Sequence, residues 1–119
     1  MKEGDVVLTP LPQADGAVKN RQALFLRELP PFRDLLVCGI SSQIHQAVPG
    51  FDEVVTPGDP DFTSSGLVTA SVIRLSFLAV LPRNRVVGSI GTIGAERHKR
   101  LLTHLSKHLM ATFQVPSDK

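Results

Sequence analysis

The sequence has one cysteine, Cys38, so no intrachain disulfide can form. A small chain that does without disulfides fits a reducing compartment. It also lacks a long apolar run. The longest, from Val68 to Leu81, is interrupted by Arg74, which excludes a membrane-spanning helix. The first five residues carry Glu3 and Asp5 ahead of any apolar run, so no signal peptide is expected. There is no Walker loop, CxxC, HExxH or GxSxG motif, which removes the strongest pointers to nucleotide, redox, zinc-protease and serine-hydrolase chemistry. What is present is 119 residues of 12.9 kDa, 42% hydrophobic and 20% charged. That is a globular composition, and a chain this long buries roughly two-thirds of its unfolded surface. A soluble, cytoplasmic protein with one domain over residues 1–119 is expected.

The net charge is only +2, but its placement is uneven. Five acids (Asp34, Asp52, Glu53, Asp59, Asp61) fall between Asp34 and Asp61 with no Lys or Arg among them. From Arg74 to Lys107 there are seven bases and one acid, Glu96. Segregation of this kind describes either a solvated helix face or a local positive field for nucleic acid or an acidic partner.

The hydrophobic pattern is mostly that of strands. Asp5–Thr9 is β-branched and apolar, and Pro10 and Pro12 are expected to stop it. A polar loop over Pro12–Asn20 contains the turn dipeptide Asp15-Gly16. Ala23–Leu29 and Leu35–Ile40 read as strands, the second apolar enough to be buried on both faces. Gly39 within it marks a bulge or a close approach by another backbone. Ser42–Gly66 reads as a long loop with a short extended piece at Glu53–Thr56. Leu67–Leu75, Phe77–Leu81 and part of Val86–Ile93 complete the strands. Ala95–Phe113 is different: Leu101, Leu102, Leu105, Leu109 and Met110 recur at helical spacing, and Pro116 follows. Strands followed by one C-terminal helix, without βαβ alternation, predict a mainly β fold, a small antiparallel barrel or half-open sheet.

Three constellations carry possible chemistry. His104 and His108 share a helix face, but a zinc site needs further ligands, and a basic helix face is the simpler reading. Gly88, Gly91 and Gly94 lead into the helix in a GxxGxxG spacing; Ile90 and Ile93 between them favour a punctuated strand and turn over a phosphate cradle. The third set is Arg21, Ser41, Ser42 and Arg74, each at the edge of an expected strand or inside one. Arg74 interrupts an apolar run, which is costly unless it is paired or lines a cleft. Guanidinium forks beside hydroxyls suit a phosphate.

At these same residues the sequence resembles a family. Gly4-Asp5-Val6-Val7 opens the resemblance. Asn20-Arg21-Gln22-Ala23-Leu24-Phe25-Leu26 is similar to the family's Arg-Pro-Ala-Leu-Val-Leu strand, and Ile40-Ser41-Ser42-Gln43 to its Ile-Thr-Ser-Gln segment. Gly66-Leu67, Ser71-Val72-Ile73-Arg74-Leu75, Ala79-Val80-Leu81 and Ile90-Gly91-Thr92-Ile93 resemble its C-terminal half. The family is the MazF/PemK (Kid) toxins of type II toxin–antitoxin systems, and the likeness runs from Gly4 to about Leu109.

The resemblance implies an SH3-like β-barrel of the MazF/PemK/CcdB kind with a C-terminal helix, acting as a homodimer. It implies a cognate antitoxin partner, contact with DNA only through the antitoxin complex, and no membrane. The implied activity is metal-independent, cofactor-free cleavage of single-stranded RNA by ribose 2′-OH attack, leaving a 2′,3′-cyclic phosphate and a 5′-OH. Arg21 matches the arginine at the scissile phosphate, Ser41 the family threonine, and Arg74 a second arginine of the Kid-like branch. Lys19, Ser42, Gln43, His45 and Ser76 are the remaining RNA-contact candidates. Three departures stand out. Ser76 occupies the place of a proposed aspartate base, and His45 is the substitute candidate. Gln22 replaces a usual proline, which frees a backbone N–H. Leu8 stands where many members have tryptophan. With no Trp or Tyr in the sequence, base stacking falls to Phe51, Phe62, His45 or arginine planes. Two alternatives share the fold: a member that binds without cutting, and a CcdB-like gyrase poison.

Overall fold

A computed structural model describes residues 1–12 and 14–111. The strands are β1 (Asp5–Pro12), β2 (Val18–Leu29), β3 (Asp34–Ser41), β4 (Glu53–Val55), β5 (Ser71–Leu81) and β6 (Gly88–Thr92). A short helix α1 (Phe62–Ser65) precedes β5, and a long helix α2 (Ala95–Met110) follows β6. The strands form one antiparallel sheet in the order β4-β5-β3-β2-β1-β6. The sheet curls into a half-barrel, the mainly β architecture with a C-terminal helix expected from the sequence.

The curl has a local cause. Register shifts interrupt three of the pairings: at Ile90 in β6, at Leu26 in β2, and opposite the Cys38–Gly39 link in β5. Each extra residue bends its strand and increases the twist. The curled sheet is then buried on both sides. Val6, Leu24, Leu26 and Cys38 face one apolar cluster, which Ile93, Leu101 and Leu105 close. Val7, Phe25, Leu35 and Val37, their alternates along the strands, face a second cluster with Ala79, Leu81 and Val86. This two-sided burial is why Leu35–Ile40 is almost continuously apolar. It also pushes the Cys38 thiol far above its usual range, because burial disfavours the thiolate.

Helix α2 lays Leu101 and Leu105 into the first cluster, each worth about 1.5–3 kcal/mol of apolar burial. His98 and His104 contact the carbonyls of Leu26 and Phe51 at 2.8 and 3.0 Å, and His108 lies against the Phe51 ring. The two histidines at i and i+4 thus hold the Phe51 loop. The helix expected over 95–113 is observed to Met110; residues 112 and 113 lie outside the described chain.

Three expectations need correction. β1 continues through Pro10 and Pro12, paired with Asn20 and Val18. Its pairing with β6 has ended at Leu8, so prolines two apart there remove no ladder bond on that edge. The polar stretch Val18–Asn20 is therefore strand, and Asp15-Gly16 forms the turn, with Gly16 at φ +87°. The expected strand over 67–75 begins only at Ser71 and runs unbroken to Leu81. The long segment before it holds β4 and α1. Gly91 explains its docking: a Cβ there would collide with the backbone of Ser64 and Ser65.

Candidate functional site

Three neighbouring strands, β2, β3 and β5, bring the arginines together. Gly39 of β3 pairs with Ala23 of β2 on one side and with Arg74 of β5 on the other. Directly paired residues share a sheet face, and so do residues two apart along a strand. Arg21, Ser41 and Arg74 therefore all stand on one face. They line a single cleft of about 170 Å³, together with Leu11, Ala14, Gln22 and Phe77. Among the described residues, no carboxylate and no imidazole lines it.

The donors lining the cleft suit an anion. The Nε of Arg74 is buried and has no hydrogen-bond partner among the described residues. A buried donor of this kind carries a desolvation cost until an acceptor reaches it. The Ser41 Oγ accepts the Gln43 N–H at 3.0 Å, which holds the oxygen while leaving its own proton to donate.

The bulge in β5 shapes the cleft. Arg74 pairs with Gly39, but the next pair is Leu78 with Cys38, so Leu75, Ser76 and Phe77 have no partner on β3. The Leu75 N–H is donated instead to the buried Asp52 carboxylate at 2.9 Å, whose other oxygen accepts the Val48 N–H at 2.9 Å. One side chain thus ties the loop before β4 to the residue after Arg74. In a regular strand Ser76 would share the face of Arg74. The bulge puts Phe77 in the cleft wall, and Ser76 is exposed outside it.

The other charged cluster is unlike the cleft. Arg97, 7% exposed on α2, donates to Glu53, Asp61, Asp59 and the Val54 carbonyl at 2.8–3.1 Å. Arg100 also reaches Glu53. Asp61 further accepts the Gly94 N–H at 2.9 Å. This carboxylate occupies the helix start, in keeping with the glycine spacing being a punctuated strand and turn and not a phosphate cradle. Hydrogen bonds from Arg97 hold the Asp61 carboxyl below its usual range. The Asp59 carboxyl is lowered by the Thr56 N–H first, with Arg97 adding to it. Arg97 and Arg100 thus match part of the acidic segment from within the chain, while Lys99 and Lys107 on the same helix are exposed.

The model of the PemK-like, MazF-like toxins of type II toxin–antitoxin systems matches residues 2–109. The chain belongs to that family. No curated protein matches it. A toxin of a type II system has an antitoxin as its partner, and the half-barrel with its C-terminal helix agrees with the PemK-like fold.

Within this PemK-like chain the structure gathers Arg21, Ser41 and Arg74 and leaves the other candidates outside the cleft lining. Lys19 is exposed on the β1–β2 hairpin arm; Ser42, Gln43 and His45 are exposed just past β3, His45 within a 3₁₀ turn over Ile44–Gln46. Phe51 and Phe62, expected as stacking surfaces, pack against the first apolar cluster and are used there. Phe77 was missed because strand alternation assigns the place beside Arg74 to residue 76. The one available signal was Gly39. It does mark both a bulge and a close approach, though by the Phe77 ring and not by a backbone.

Proposed function

We propose that this toxin is a metal-independent endoribonuclease that cleaves single-stranded RNA, mRNA in particular, with Arg21, Ser41 and Arg74 at the scissile phosphate. The observation that carries this reading is one cleft, lined by no acid among the described residues and flanked by two arginines from different strands, with a buried guanidinium N–H that has no acceptor among them. The ribose 2′-oxygen attacks the adjacent phosphorus, the bond to the 5′-oxygen breaks, and a 2′,3′-cyclic phosphate and a 5′-OH remain. The attacking hydroxyl loses a proton and the leaving oxygen gains one. Arginine stays protonated, so Arg21 and Arg74 stabilise the added negative charge, and the Ser41 hydroxyl donates to a phosphate oxygen. The unit proposed is a cytoplasmic homodimer, held inactive by its antitoxin.

A second reading has one observation in its favour. Among the described residues the cleft offers no carboxylate or imidazole as a base, which suits a protein that holds RNA without cutting it. Purified protein mixed with diverse single-stranded RNA in EDTA separates the two. Cuts bearing 5′-OH ends, slowed about 10²–10³-fold by Arg21→Ala at an unchanged melting temperature, are expected. Arg21 is exposed, so its loss spares the core. Intact RNA from a folded protein would sink the nuclease and leave the binding module.

A further inference from the structure

We propose that Phe77, seated on the Gly39 backbone, is a nucleobase platform beside the phosphate site; this rests on the RNA-cleaving reading of the same cleft. A Cβ at Gly39 would lie 3.3 Å from the Phe77 Cγ, so the ring rests over the glycine, where a larger residue would lift it. Phe77 is 36% exposed and forms part of the wall that also carries Arg21, Ser41 and Arg74. The other phenylalanines among the described residues are placed elsewhere. Phe25 is fully buried, Phe51 and Phe62 pack on the core, and Phe32 lies between β2 and β3.

The size of the cleft narrows the ligand. About 170 Å³ is below the roughly 300–1,000 Å³ that encloses a whole small molecule. It takes a fragment of a longer chain: a phosphate at the guanidinium groups and one flat base on the ring. Leu11 supplies an apolar wall for that base. Stacking tolerates every base, because each has a π-face. Phe77 therefore supplies affinity for the nucleotide next to the phosphate, and sequence choice comes from other contacts.

The test uses the full chain and a short single-stranded RNA that carries 2′-deoxyribose at the cleaved nucleotide, so that it binds uncut. An abasic nucleotide is moved along it one position at a time. Phe77→Leu keeps an apolar side chain over Gly39 and removes the ring, which guards against a merely unfolded variant. It is expected to bind the intact strand about 5- to 150-fold more weakly. With the abasic position next to the cut, wild type and variant are expected to bind equally. Equal binding of the intact strand overturns the platform while the nuclease stands. So does a loss that persists on every abasic strand, since that is the mark of a structural role. A wild type that binds no RNA overturns the RNA reading of the cleft and the platform with it.

Discussion

Arg97 and Arg74 are both arginines drawn into the folded interior, and their surroundings are opposite. Arg97 meets three carboxylates and a carbonyl, so its charge is matched from within the chain. Burial works against that charge, and the carboxylates outweigh it. Among the described residues, Arg74 lines a cleft with no acid, and its Nε has no partner. A matched charge joins elements: Arg97 ties α2 to β4 and to the segment before α1. An unmatched one keeps its binding capacity for something outside the chain. The same residue type thus marks architecture in one place and the candidate site in the other.

The contrast can be broken by exchange. Arg97→Met removes the cation and leaves Glu53 and Asp61 sheltered without it, which is expected to cost about 3–5 kcal/mol. A denaturant titration would show this as a lower midpoint. Arg74→Met is expected to leave that midpoint unchanged or raise it, since a partly buried unpartnered donor disappears, while RNA cleavage falls. Equal loss of stability in the two variants would erase the distinction.

Acid probes the matched cluster, together with the Asp5 and Glu28 carboxyls, which also lie below their usual range. The Asp59 and Asp61 carboxyls lie below their unfolded range in the native state. Their contribution is fully present above the unfolded value of about 3.9 and is lost as pH falls through the native values. A melting temperature that drops below about pH 4, and drops less in Asp61→Asn, is expected. A curve identical in wild type and variant would remove Asp61 from the account. The smallest effect belongs to Arg100, half exposed beside Glu53. Arg100→Ala is expected to cost no more than about 1 kcal/mol, and less in high salt; a larger loss would mean that the Arg97 cluster extends to it.

Much of this was legible before the structure. The apolar run of β3 announced burial on both faces, and the leucine spacing after Ala95 announced α2. Arg74 could be singled out because a charge inside an apolar strand needs a reason. The limits of reading were also specific. Pro10 and Pro12 looked like strand stops, because whether a neighbour pairs on that edge is not written in β1 itself. Phe51 and Phe62 looked available because burial is a property of what packs on them. Asp52 gave no local sign that it would accept the Leu75 N–H, a contact 23 residues away in sequence.

The sequence by itself determined the central strands, the helix face and the identity of the charged groups, because these follow from spacing along a single strand or helix. It also carried the family likeness that the match over residues 2–109 bears out. Only the tertiary structure decided which charges meet and which stay open. That depends on register across strands and on the three residues that bulge from β5. A bulge breaks the alternation on which sequence reading relies, and so it exchanged Ser76 for Phe77 at the wall of the cleft.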